Sequence, residues 1–258
     1  MEDKEAQTLI FQKSLRKMFL RSMIITSLCM SVVESFHSDN HSFANNHVLL
    51  HRSNSSSISN KSVCAGNSAI DRSVWCNYST STNYYDEVID TGVMVEYWFE
   101  LTNTTASPDG VDRIVLTING SIPGPTIEAS WGDTVKVHFT NSLTYNGSSI
   151  HFHGVRQNWT NANDGVVSIT QCPTPPDDTV TYTWKATQYG SSWYHSHYSL
   201  QAWDGVFGGI LIHGPATANF DEDLGVLFLN DWDHETADAL YSVAQSSGPP
   251  TLQTGLIN

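Results

Sequence analysis

From Val93 to His213 the apolar residues of this chain recur at every second position in short runs, so each run reads as a strand with one buried face. Val135, Val137 and Phe139 make one such set, and Val180, Tyr182 and Trp184 another. The runs predict strands at Val93–Leu101, Arg113–Ile118, Thr126–Ala129, Thr134–Asn141, Ile150–His153, Val180–Lys185, Ser192–Ser196 and Val206–His213. Gly and Pro separate them at Asn119-Gly-Ser-Ile-Pro-Gly-Pro125 and at Trp131-Gly-Asp133, where the backbone must take angles that other residues resist. Many short strands at this spacing predict an all-β fold, a Greek-key β-sandwich.

Two of these strands carry paired histidines, His151-Phe-His153-Gly154 and His195-Ser-His197. Residues i and i+2 of a strand face the same way with a rise of about 6.6 Å between them, so each pair aims two imidazoles into one space. Two such strands side by side offer four nitrogen ligands, enough for more than one metal ion. Imidazole alone suits zinc, copper, iron or nickel. The other histidines lack this frame. His37, His41, His47 and His51 lie in a polar stretch, His138 alternates with the apolar set of its strand and so faces outward, and His213 and His234 have no ligand-like partner nearby in sequence.

A net charge of −14 with only 12 Lys and Arg leaves no basic patch for nucleic acid or an anionic membrane surface. Lys13, Arg16, Lys17 and Arg21 precede the apolar run Met23–Val33, which is too short to span a bilayer and has the form of a secretory leader cleaved after Ser35. Export fits the many Asn-x-Ser/Thr glycan acceptors, at Asn40, Asn54, Asn60, Asn77, Asn103, Asn146 and Asn158; Asn119 also fits the pattern but sits in a tight turn. Of four cysteines, Cys29 would leave with the leader. Cys64 and Cys76 bracket a short loop, and a disulfide between them would stabilise by roughly 3 kcal/mol. The partner of Cys172 stays open.

The flanks of the doublets narrow the reading. After the first come Asp164-Gly165 and Gln171-Cys172-Pro173; the second is set in Gly190-Ser-Ser-Trp193-Tyr194-His195-Ser-His197, followed by Gln201, Asp204-Gly205, Gly208 and Ile210. This resembles the first two copper-binding signatures of laccases, in the multicopper oxidase family, and Ile169-Thr-Gln-Cys-Pro resembles the filamentous-fungal branch. Phe152, Ser191 and Thr174 stand where laccases usually have Trp, Thr and Ile, and none of these removes a ligand. After the leader over 1–35, the Ser-, Asn- and His-rich stretch over 36–62 has little periodicity and predicts a disordered segment. The resemblance runs from about Cys64 to the C-terminus and implies a first cupredoxin domain over 63–217, and over 218–258 a linker and the incomplete start of a second. In that second domain Leu224–Asn230 is the expected first strand and Thr236–Gln245 a short helix.

By motif position the resemblance makes His151 a ligand of the type-2 copper and His153, His195 and His197 ligands of the type-3 pair. Asp164 becomes a nearby carboxylate that orients water and relays protons, although an Asp-Gly pair is also a common turn. Trp193 and Tyr194 are read as packing, and Cys172 falls where fungal laccases form a disulfide to their third domain. The implied function is half of a trinuclear copper site in a secreted enzyme that oxidises phenolic or aromatic-amine molecules and reduces O2 to water. The Cys of a type-1 copper, expected with the second and third cupredoxin domains, has no counterpart here, so this chain alone is expected to be inactive. Two alternatives stand beside this: a ferroxidase-like or ascorbate-oxidase-like relative, and a free-standing metal-binding cupredoxin module.

Overall fold

The computed structural model describes residues 53–54 and 66–257. The expected leader, most of the segment over 36–62, Cys29, Cys64 and the acceptors Asn40 and Asn60 lie outside them. Among the described residues the strands are, in chain order, β1 (Ser53–Asn54), β2 (Val74–Trp75), β3 (Tyr78–Ser79), β4 (Val93–Ala106), β5 (Arg113–Ile118), β6 (Gly124–Ser130), β7 (Thr134–Asn141), β8 (His151–His153), β9 (Asp178–Lys185), β10 (Gly190–His195), β11 (Phe207–His213), β12 (Asn230–Asp233) and β13 (Thr254–Ile257), with an α-helix, Ala237–Ser247, before β13.

Two sheets form the body. One has the order β1-β4-β7-β9 with β5 also on β4; the other has the order β6-β11-β10-β8. The β4–β7 and β6–β11 pairs are parallel and the other pairs in these two sheets are antiparallel. Parallel neighbours cannot be joined by a tight hairpin, so the chain must cross from sheet to sheet, as the Greek-key reading requires. The predicted alternation holds: Val135, Val137 and Phe139 of β7 and Tyr182 and Trp184 of β9 are buried. They meet the inner face of the second sheet, where the Phe152 ring lies 5.4 Å from that of Tyr182 and 5.3 Å from that of Trp184, and Tyr194 lies 4.9 Å from Phe99. Tyr194 needs room, since a Cβ at Gly124 or Gly208 would fall 2.4 or 2.3 Å from its hydroxyl.

The turn at Asn119-Gly120 forms with both residues at positive φ, 53° and 75°. The Asn119 side chain accepts from Glu100 N at 2.7 Å and donates to the Trp98 carbonyl at 2.8 Å. Asn119 is exposed, as are Asn77, Asn103, Asn146 and Asn158, but its amide is committed to β4.

Three differences from the sequence expectations stand out. β4 runs to Ala106, five residues past the apolar alternation, because Leu101 to Ala106 pair with β5 through backbone groups that polar side chains do not disturb. Leu224–Leu229 is not a strand; the strand begins at Asn230 and pairs with β13, leaving Leu224, Leu227 and Leu229 exposed. A strand needs a neighbour to supply the ladder, and among the described residues Leu224–Leu229 pairs with none. The helix is close to its expected place, with Thr236 as N-cap accepting from Ala239 N. Finally, Cys76 and Cys172 are each disulfide-bonded, and the Cys64 end of the expected pair is outside the described residues.

Candidate metal centre

β8 and β10 lie side by side and antiparallel, with His151 opposite His195, Phe152 opposite Tyr194 and His153 opposite Trp193. This register puts Phe152 and Tyr194 into the core and turns the intervening side chains to the other face. His151, His153 and His195 bring one ring nitrogen each within 4.8 Å of one another, the strongest sign of a metal site among the described residues. His197 stands at the border of this group, its ring centroid 5.4 Å from that of His151 and 6.0 Å from that of His195. It is not placed by strand alternation, because β10 ends at His195, one residue short of expectation.

Hydrogen bonds fix which nitrogen each ring presents. His151 Nδ1 lies 2.7 Å from the Asp164 carbonyl and His195 Nδ1 lies 2.9 Å from the Ser196 carbonyl. A carbonyl can only accept, so both Nδ1 atoms carry hydrogen and both Nε2 atoms keep a lone pair when the rings are neutral. His153 Nδ1 stands 3.3 Å from His195 Nε2. Two nitrogens at that separation, each about 2.0–2.1 Å from a shared ion, subtend roughly 105–110°, an angle suited to a low-coordinate metal with imidazole ligands. The donor set and its spacing therefore fit a metal.

The electrostatics favour the same state. Burial, followed by repulsion from His151, His153 and His197, brings the His195 imidazole down to about 4 against the opposing pull of the Ser196 carbonyl. A ring that resists protonation offers a lone pair over most of the pH range. Trp193 stacks on His195 with ring centroids 4.1 Å apart and also lies 5.3 Å from His153, so its role is packing, as the sequence suggested, but packing against the ligands themselves.

Asp164 lies in a turn and beside His151. It ends a 3-10 turn, Asn161–Asn163, and is followed by Gly165 at φ 75°, so it is a turn residue; its carboxylate also lies 3.3 Å from His151 Nδ1, behind the ring. Gly165 is obligatory here, for a Cβ would sit 1.8 Å from the Ile150 carbonyl oxygen. In front of Asp164 is a solvent-open pocket lined by Val155, Arg156, Gln157, Asn158, Trp159 and Asn161.

The remaining histidines divide. His138 is on the outer face of β7 as expected, stacked on Trp98 and bonded to Thr181. His213 and His234, read as lacking partners, each face a carboxylate: Glu128 at 3.7 Å and Asp109 at 2.8 Å. Both carboxylates lie on strands or turns distant in sequence, which local inspection could not bring together. Sequence reasoning also assigned no role to Gln201, whose buried amide lies behind the second doublet.

Residues 100–217 match the family model described as multicopper oxidase. Laccase-1 of Botryotinia fuckeliana is 55% identical over 203 residues, which take in 79% of this chain and 35% of that protein. Laccase-2 of the same fungus is 51% identical over 195 residues, 76% of this chain and 33% of that one. The crystal structure of a laccase from Botrytis aclada matches with a TM-score of 0.71 and 49% identity, covering 74% of this chain and 36% of that chain. This chain spans about a third of the length of the curated relatives it matches. A cupredoxin-like sandwich, two histidine pairs converging on one face, and these likenesses together identify copper as the metal implied for the site and residues 100–217 as a domain of the multicopper oxidase family.

Proposed function

We propose that His151, His153, His195 and His197 supply half of a trinuclear copper site in a secreted laccase-type oxidase, with His151 on the type-2 copper and the other three on the type-3 pair. The supporting observation is the convergence of His151, His153 and His195 nitrogens within 4.8 Å, with the tautomers of His151 and His195 set by carbonyl partners. Copper, when bound, would supply one-electron chemistry and a place for O2 to be reduced to water. The substrates would be phenolic or aromatic-amine molecules, oxidised at parts of a longer protein of the kind its relatives represent. This chain's own residues hold and orient: Asp164 O fixes His151, Ser196 O and Trp193 fix His195, and the Asp164 carboxylate offers a proton-accepting group beside His151. The exposed apolar residues Leu224, Leu227 and Leu229 fit a segment that belongs to a second cupredoxin domain.

The test joins the chain to the region that follows in a relative. Chain and complement are mixed with copper, and O2 uptake is followed with a phenol as donor. The expected result is no uptake by the 258-residue chain alone, uptake by the pair, and loss of that uptake with His151→Ala. Robust phenol oxidation by the isolated chain, or a His151→Ala pair as active as the parent, would overturn the assignment.

A further inference from the structure

The ladder that joins the two doublets is short. It covers three residue pairs and ends at His151 on β8 and His195 on β10, so Ser196, His197 and the residues before His151 approach one another without strand pairing. At that point the side chain of Gln201, in the 3-10 turn Gln201–Asp204, takes over. Its Oε1 accepts from Ser148 Oγ at 2.7 Å and from Ser196 Oγ at 2.7 Å, and its Nε2 donates to the Gly147 carbonyl at 3.0 Å. The Gly147 contact fixes the amide orientation, since only the NH2 end can donate to a carbonyl. Ser196 Oγ also accepts from Tyr198 N at 3.2 Å, which locks the backbone on both sides of His197. Gln201, Ser148 and Ser196 are all buried, at 7%, 0% and 3% exposure, so water cannot substitute for a lost partner.

We infer that Gln201 is a positioning residue for the metal centre: its amide holds the loop before His151 and the middle of the second doublet at one fixed spacing, and His197, which no strand supports, depends on it most. This rests on the copper reading above and extends it to a residue that touches no metal. Buried amide and hydroxyl groups could otherwise serve stability alone, and the coupling to His197 separates the two roles.

The experiment measures cuprous-ion affinity of the 258-residue chain by competition with a chromophoric chelator, with thermal unfolding of each variant run in parallel. Gln201→Leu is expected to weaken binding by about 10–100-fold, the usual cost of removing a group that orients a ligand. His197→Ala should weaken the parent too, yet add little in the Gln201→Leu background, because His197 would already be out of place. A general loss of stability would instead give additive effects. Ser196→Ala, which deletes one hydroxyl from the same cluster, carries the identical cycle if the larger change prevents folding. Unchanged affinity in a folded variant, or additivity with His197→Ala, would overturn the inference, as would failure of Ser196→Ala to fold. If the parent and the variant lacking all four histidines bind copper equally, it is the copper reading that fails.

Discussion

His153 Nδ1 and His195 Nε2 face each other at 3.3 Å across neighbouring strands that are 42 residues apart in sequence. Their approach is a product of the register: β8 and β10 pair so that His151 opposes His195, and the diagonal neighbour His153 then reaches the same space. A slip of either strand by one residue would turn that strand's rings into the core and bring out its Phe152 or Tyr194. The metal centre and the hydrophobic core are therefore specified by the same pairing.

Deprotonation of the site is the first consequence to test. Because burial and the neighbouring rings depress His195 to about 4, an unfolded chain, in which this ring titrates near 6.5, holds more protons than the folded one between those values. The metal-free fold should therefore lose stability from this ring as pH falls from about 6.5 through about 4, and no more below that. Urea midpoints measured across that range should fall less steeply in His195→Gln than in the parent. Equal slopes would mean that His195 is not held neutral.

Asp164 offers two groups to His151, and their distances rank them. The carbonyl at 2.7 Å is the nearer partner and survives any side-chain change, whereas the carboxylate is at 3.3 Å. Asp164→Ala should thus weaken copper binding by less than about tenfold, below the range for losing the whole orienting contact. Chelator competition reads this directly, and a loss near a hundredfold would show that the carboxylate is the true anchor of His151.

Gly165→Ala should behave very differently from its neighbour. The added Cβ meets the Ile150 backbone 1.8 Å away and sits at a φ of 75°, so neither a rotamer change nor a small shift relieves it. A cost of about 3 kcal/mol or more is expected from left-handed strain plus the backbone clash. Chemical denaturation measures it; a variant within about 0.5 kcal/mol of the parent would contradict the tight seat of this turn beneath His151.

How far these features are legible in the sequence depends on what sets them. The period-two alternation at Val135, Val137 and Phe139 reveals the strand and its buried face because side-chain direction in a strand is a local property. The strand expected at Leu224–Asn230 from the family resemblance forms only at its last residue, because pairing needs a neighbour and Thr254–Ile257 pairs with Asn230–Asp233. The pairs His151/His153 and His195/His197 announce a metal site, but the end of β10 at His195 and the amide of Gln201 behind it arise from tertiary contacts. Likewise the carboxylates facing His213 and His234 come from Glu128 and Asp109, far away in sequence.

A buried ion pair ties the sandwich to its C-terminal segment. Arg113 Nη1 lies 2.9 Å from Asp204 Oδ1, which also accepts from Ala237 N at 3.0 Å, and the guanidinium covers the Trp232 ring at 4.1 Å. Burial raises the Asp204 carboxyl above its ordinary value even though Ala237 N and Arg113 pull it down, so the pair does not fully offset its desolvation. Arg113→Met should cost about 3–5 kcal/mol by stranding Asp204, and adding Asp204→Leu should recover a good part of it. Denaturation of both variants checks this; a double variant as weak as the sum of the singles would rule out the coupling.

The most direct measurement is copper binding by the 258-residue chain and by a variant in which His151, His153, His195 and His197 are all Ala, with His138→Ala as control. His138 lies on the outer face of the other sheet, stacked on Trp98, and its removal should leave affinity unchanged. The four-histidine variant should keep the fold, since these rings face away from the core, and lose copper binding in chelator competition. Retention of parental affinity by that folded variant would contradict the metal centre described for this chain.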